Sequence, residues 1–162
     1  MIDPRHGVRW MLVAIVSSWF CVERSAAGDA EFCEPLTRIL AAAPREFRAL
    51  KSEEYSTKFE SWRARETLAG FDACWVDDVR HGFWCLHQAP NLDAAARLGS
   101  QTIAAVTGCY PIVRRQAVVD TMDNDLTRTT TEWMLDDTRR IRVVERRSTS
   151  GRGIASVFLY VY

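Results

Sequence analysis

The sequence is short of most features that announce a function. It carries no net charge, because 21 Lys+Arg balance 21 Asp+Glu. That balance removes the bulk pull toward phosphate backbones or anionic membranes that a basic chain would have. Lysine is nearly missing, with Lys51 and Lys58 alone, so arginine supplies the positive charge and suits it to bidentate pairing with carboxylates. Only 8 Gly, 5 Pro and 5 Cys occur in 162 residues, which excludes collagen-like and knottin-like chains, while 48% hydrophobic residues exclude low-complexity disorder. There is no CxxC pair, no GK[ST] after a glycine-rich loop, and no GxSxG elbow. Beyond residue 22 no apolar run approaches the roughly 20 residues of a membrane-spanning helix.

What is present begins with a leader. Arg5, His6 and Arg9 precede an uncharged, largely apolar run from Trp10 to Val22, closed by Glu23 and Arg24. This is the shape of a signal peptide. Ser25 and Ala27 stand at the −3 and −1 positions of a cleavage site after Ala27, against the alternatives of an uncleaved anchor or a core helix. Residues 1–27 are therefore read as a cleaved signal peptide and 28–162 as a single disulfide-stabilised domain. Losing Arg5, Arg9, Arg24, Asp3 and Glu23 leaves 18 basic against 19 acidic residues. A domain of that size buries roughly two thirds of its extended-chain surface, enough for a core without a metal.

Cys21 leaves with the leader, and Cys33, Cys74, Cys85 and Cys109 remain. An even set in an exported chain reads as two disulfides, with three connectivities. Cys74 and Cys85 flank a segment that turns near Val79 to Gly82, and facing positions of such a hairpin lie within disulfide reach. That favours Cys74 with Cys85 and Cys33 with Cys109; the alternative links each strand cysteine to a helix. A zinc site is disfavoured by the long spacings.

Leu36, Leu40, Ala43, Phe47 and Leu50 recur at helical steps, with Pro35 in the first turn and a break near Ala43 where Pro44 begins a second helical piece. Residues 55–71 mix aromatics with charge and read as a strand pair or an irregular stretch. Residues 71–88 read as the hairpin. Asn91 caps a second helix with Leu92, Ala95, Gly99, Ile103, Val106 and Tyr110 on one stripe, whose small residues permit close approach to a sheet. Strands are expected over 112–120, 128–135, 139–147 and 154–162. The fold class is α+β: two helices packed on an antiparallel sheet, in the order α-β-β-β-α-β-β-β, as a two-layer sandwich. Helix-then-meander occurring twice hints at a loose duplication.

Chemistry-bearing constellations are absent. His81 and His87 lie about 20 Å apart on an extended chain, too far to share a metal. Ser100 sits mid-helix, and 148–153 is most simply a hairpin connection. The acid pairs Glu53-Glu54, Asp77-Asp78 and Asp136-Asp137 are neighbours near turns. No metal, no cofactor and no catalytic residue is assigned. Arg140, Arg142 and Arg146 alternate on one strand face over a buried one, paired with Asp136 and Asp137 in the plainest reading, and Trp75 and Trp84 crowd the hairpin. These five residues form the candidate binding surface. The functional expectation is an exported, periplasmic or extracellular, non-catalytic binding or protein-interaction module, such as an envelope accessory or inhibitor protein. Its partner is expected to be another protein or an envelope polymer, not nucleic acid, with no membrane span after cleavage. The alternative is a small secreted hydrolase using separated carboxylates.

Overall fold

The computed structural model describes residues 26–111, 114–122, 126–148 and 155–162. Of the leader expected over residues 1–27, positions 1–25 lie outside them, as does most of the 148–153 connection. Helix α1 spans Ala26–Ala42 and helix α2 Leu92–Cys109. Eight strands complete the described chain: β1 Lys51–Ser56, β2 Ser61–Ala64, β3 Ala73–Asp77, β4 Gly82–Ala89, β5 Arg114–Met122, β6 Leu126–Met134, β7 Arg140–Ser148 and β8 Ala155–Val161. They form one antiparallel sheet in the order β1-β2-β3-β4-β8-β7-β6-β5. The order α-β-β-β-α-β-β-β is thus corrected to α followed by four strands, twice, the second four lying close to the four segments expected after α2. Each helix leads a four-strand meander, and the two meanders meet where β4 pairs with β8.

Helix α1 starts earlier than its sequence pattern implies. Pro35 lies in its interior, not in its first turn. Proline removes one helical hydrogen bond there, yet Phe32, Leu36, Ile39 and Leu40 are buried on one stripe and hold the segment by packing. At Ala43 the chain does break, into a 3-10 turn over Ala43–Arg45. Glu46 and Phe47 then take left-handed backbone angles (φ 55° and 57°). Phe47 therefore drops out of the helical register and buries its ring 6.1 Å from that of Phe83. Helix α2 begins as its capping residue dictates, with Asn91 Oδ1 accepting the Ala94 N–H at 2.8 Å.

Alternation along the strands sends successive side chains to opposite faces. One face carries Cys74, Val76, Phe83, Cys85, Ile141, Val143, Val157, Leu159 and Val161, which join the α1 stripe and the Ala95 and Val106 positions of α2 in the main core. Helix α2 lies against β4, β7 and β8, and α1 against α2. Ala95 and Gly99 make that approach close: a Cβ on Gly99 would collide with the Glu145 carboxylate of β7. Two disulfides clamp the arrangement. Cys33 of α1 joins Cys109 at the end of α2 (Cα–Cα 5.4 Å), and Cys74 joins Cys85 at directly opposed positions of β3 and β4 (Cα–Cα 4.0 Å).

Candidate binding face

The other face of the sheet is lined by the remaining strand positions, and its composition is unlike that of a solvated surface. Across the central strands one row runs Arg63, Trp75, Trp84, Tyr160, Arg142, Glu132, each opposite the next in register. A second row runs Ala73, Leu86, Phe158, Val144. Arginines of β7 therefore interleave with the aromatic residues of β8. The Arg142 guanidinium lies 5.7 Å from the Tyr162 ring centroid and that of Arg146 4.5 Å from Phe158, at cation–π range. Phe158, Tyr160 and Tyr162 form a ladder along β8, with nearly parallel rings at 5.8 and 6.1 Å.

The turn between β1 and β2 curls over this face. Phe59 meets Trp75 at 4.8 Å and Trp84 at 5.4 Å, and the two tryptophans stack on each other at 4.4 Å. Arg63 covers the far side of Trp75 at 5.3 Å. Between this turn, the β3–β4 turn and β8 lies a cavity of about 560 Å³. Its floor is Trp84, Phe158, Tyr160 and Tyr162. Its polar rim is Lys58, Arg80 and Arg146 with Glu60 and Asp77, and Gln88 and Ser156 lie at one end.

The five residues singled out from sequence all belong to this face but do not act alike. Trp84 and Arg146 line the cavity. Arg142 stands beside it over Tyr162, and Arg140 is exposed further along β7. Trp75 is 7% exposed, sealed by Phe59, Trp84 and Arg63, so it supports the floor from beneath and is no contact surface. The acids expected to neutralise the arginine ridge also differ. Asp136 serves its own turn, accepting the Thr138 and Arg139 N–H groups and the Arg139 side chain. Glu132 of β6 takes the ridge instead, at 3.2 Å from Arg142 Nη2 and 3.9 Å from Arg140 Nη1. Arg146 has a ring beneath it, and its Nε is buried without a hydrogen-bond partner.

Burial raises the Tyr160 and Tyr162 phenols above their ordinary range, against the pull of nearby arginines. Asp77 is committed to structure: its Oδ1 accepts the N–H groups of Val79 and Arg80, each at 2.9 Å. The histidines lie apart, with His81 Nδ1 at 3.4 Å from Glu46 and His87 Nδ1 at 3.0 Å from Asp72. Among the described residues no three His, Cys, Asp or Glu are grouped to hold a metal ion, and no helix is long and apolar enough to cross a membrane.

Lys58, Phe59, Glu60 and Arg80 were not legible as site residues, because they sit in turns whose fold over the sheet leaves no periodic signal. The one available hint was an aromatic residue flanked by opposite charges in Lys58-Phe59-Glu60. No family model, no curated protein and no solved structure matches the chain.

Proposed function

We propose that the protein is an exported, non-catalytic binding module, a two-layer sandwich whose helices close one sheet face while the other receives a ligand. The leader-like N-terminus and the two disulfides support export, since such bonds persist in oxidising compartments. The observation that carries the binding assignment is the cavity floored by Trp84, Phe158, Tyr160 and Tyr162 and rimmed by mixed charge.

The ligand that fits this chemistry is an envelope glycan bearing carboxylates. Aromatic rings take the apolar C–H faces of sugars, Glu60, Gln88 and Ser156 meet hydroxyls, and Arg146 with Lys58 meets an acid group. A nucleic-acid strand suits the site less well. Its phosphates would meet three cations already offset by Glu60 and Asp77.

Titration calorimetry of mature, oxidised protein against uronic-acid oligosaccharides, neutral oligosaccharides and single-stranded DNA tests the assignment. Acidic oligosaccharides should bind. Tyr160→Ala and Arg146→Gln should each weaken binding by about tenfold, in line with the loss of one stacking or charged contact. Absence of binding across the glycan panel, tighter binding of DNA, or turnover that Glu60→Gln abolishes would each overturn it. The last outcome would point to the carboxylate hydrolase.

A further inference from the structure

The two edges of the sheet are treated differently. Strand β1 is six residues long, carries Lys51, Glu53 and Glu54, and shifts register against β2 between Lys51 and Tyr55. Short length, charge and irregularity are the usual means of blunting an edge. Strand β5 is neither short nor irregular, and its charges, Arg114, Arg115 and Asp120, leave 116–119 uncharged between them. It pairs with β6 through nine consecutive residues in unbroken register, contains neither proline nor lysine, and among the described residues no strand lies outside it. Every side chain from Arg114 to Val119 is exposed, so neither face is roofed, and Val118 and Val119 are 42% and 67% accessible.

We propose that β5 is a self-association edge, pairing antiparallel with β5 of a second copy about a two-fold axis at Ala117. The sequence Arg-Arg-Gln-Ala-Val-Val-Asp over 114–120 is cationic at one end and acidic at the other. Antiparallel pairing centred on Ala117 sets position 114 of each copy opposite position 120 of the other, arginine against aspartate, twice. It also sets Gln116 opposite Val118. Parallel in-register pairing would instead set Arg114 and Arg115 against their own copies, which like-charge repulsion disfavours. A closed two-fold contact satisfies the outer backbone row of both strands and continues the sheet from eight strands to sixteen. The aromatic cavity lies over the central strands β4 and β8, with β7 and β6 between it and β5, so the pairing leaves it open and places two per dimer.

Sedimentation velocity of the mature, oxidised protein up to about 200 μM tests the proposal, since dimer population follows protomer concentration. The expected result is a concentration-dependent dimer. Arg114→Asp and Asp120→Arg should each weaken it by about tenfold or more, because each turns both cross-strand attractions into repulsions. Mixing those two variants should restore dimers, since each pair is then of opposite charge again. Circular dichroism that matches the parent protein serves as the folding control, and the mixture tests the register without needing a further variant to fold. A monomer throughout the range, single variants that dimerise like the parent, or a mixture that fails to dimerise would overturn it.

Discussion

Replacing Gly99 by alanine tests the closest contact between the helices and the sheet. In an exposed helix interior the change would stabilise by about 1 kcal/mol, because alanine has the higher helix propensity. Here the added methyl group would meet the Oε1, Cδ and Cγ atoms of Glu145, the last at 2.7 Å, well inside any normal contact. Glu145 cannot swing away freely. It is 5% exposed, and its Oε2 accepts a hydrogen bond from Arg147 Nη2 at 2.5 Å. Either α2 lifts off β7 or the carboxylate leaves its partner. Overpacking of this kind costs about 1–3 kcal/mol, and disturbing a buried charge adds to it. A net loss of about 2 kcal/mol is expected, read as a Tm lower by roughly 6–8 °C. Urea denaturation of the parent, Gly99→Ala, Glu145→Ala and the double variant forms the cycle. In the Glu145→Ala background the alanine should cost nothing, or stabilise by up to about 1 kcal/mol, giving a coupling of at least about 2 kcal/mol. An equal cost in both backgrounds, or a more stable single variant, would refute the reasoning.

Other expectations follow from the crosslinks and from acid titration. Alanine substitution of Cys33 and Cys109 opens a separation of 76 residues, and of Cys74 and Cys85 one of 11. Loop-closure entropy gives costs of about 4.5 and 3 kcal/mol, so denaturant midpoints should fall further for the first pair, and the reverse order would count against that account. The Asp136 carboxyl is held far below the usual carboxylate range, chiefly by the Thr138 backbone N–H and then by the Arg139 side chain. A depressed folded-state pKa contributes stability above the unfolded value of about 3.9 and loses it as pH falls further. Asp136→Ala should therefore lower Tm at neutral pH, with the gap to the parent narrowing as pH drops below about 4. A constant gap would remove the titration from the explanation.

Much of the fold was legible because its signals are local. Asn91 and the small-residue stripe located α2, the turn at Val79 to Gly82 located β3 and β4, and alternation placed the arginines of β7 on one face. Hairpin register favoured the pairing of Cys74 with Cys85 over the strand-to-helix alternative, and the two stand directly opposite in β3 and β4. What was hidden depends on distant partners. Pro35 is tolerated inside α1 because residues far along the chain pack against its neighbours, and no propensity scale contains them. Pairing of β4 with β8 spans Phe83 to Val161 and turns two meanders into one sheet. The site inherits that dependence. Trp84 and Phe158 reach the same cavity only through this pairing, and Phe59 reaches it only because the β1–β2 turn folds over the face. Trp75 shows the converse, since an aromatic residue read as surface is buried by a neighbour its own strand could not reveal.

The central position of β8 has a consequence for how the protein is made. A strand at the edge of a sheet has one neighbour, and its absence leaves the rest of the sheet joined. Here residues 155–161 are the plank that joins two otherwise separate meanders. At about 5–20 residues per second the ribosome needs roughly 4–14 s between finishing β4 and finishing β8. Throughout that interval the inner edge of β4 stands unpaired, and an exported chain would still be unable to close its sheet. Closure of the two meanders into one sheet therefore waits on residues 155–161, however early β1 to β4 are made.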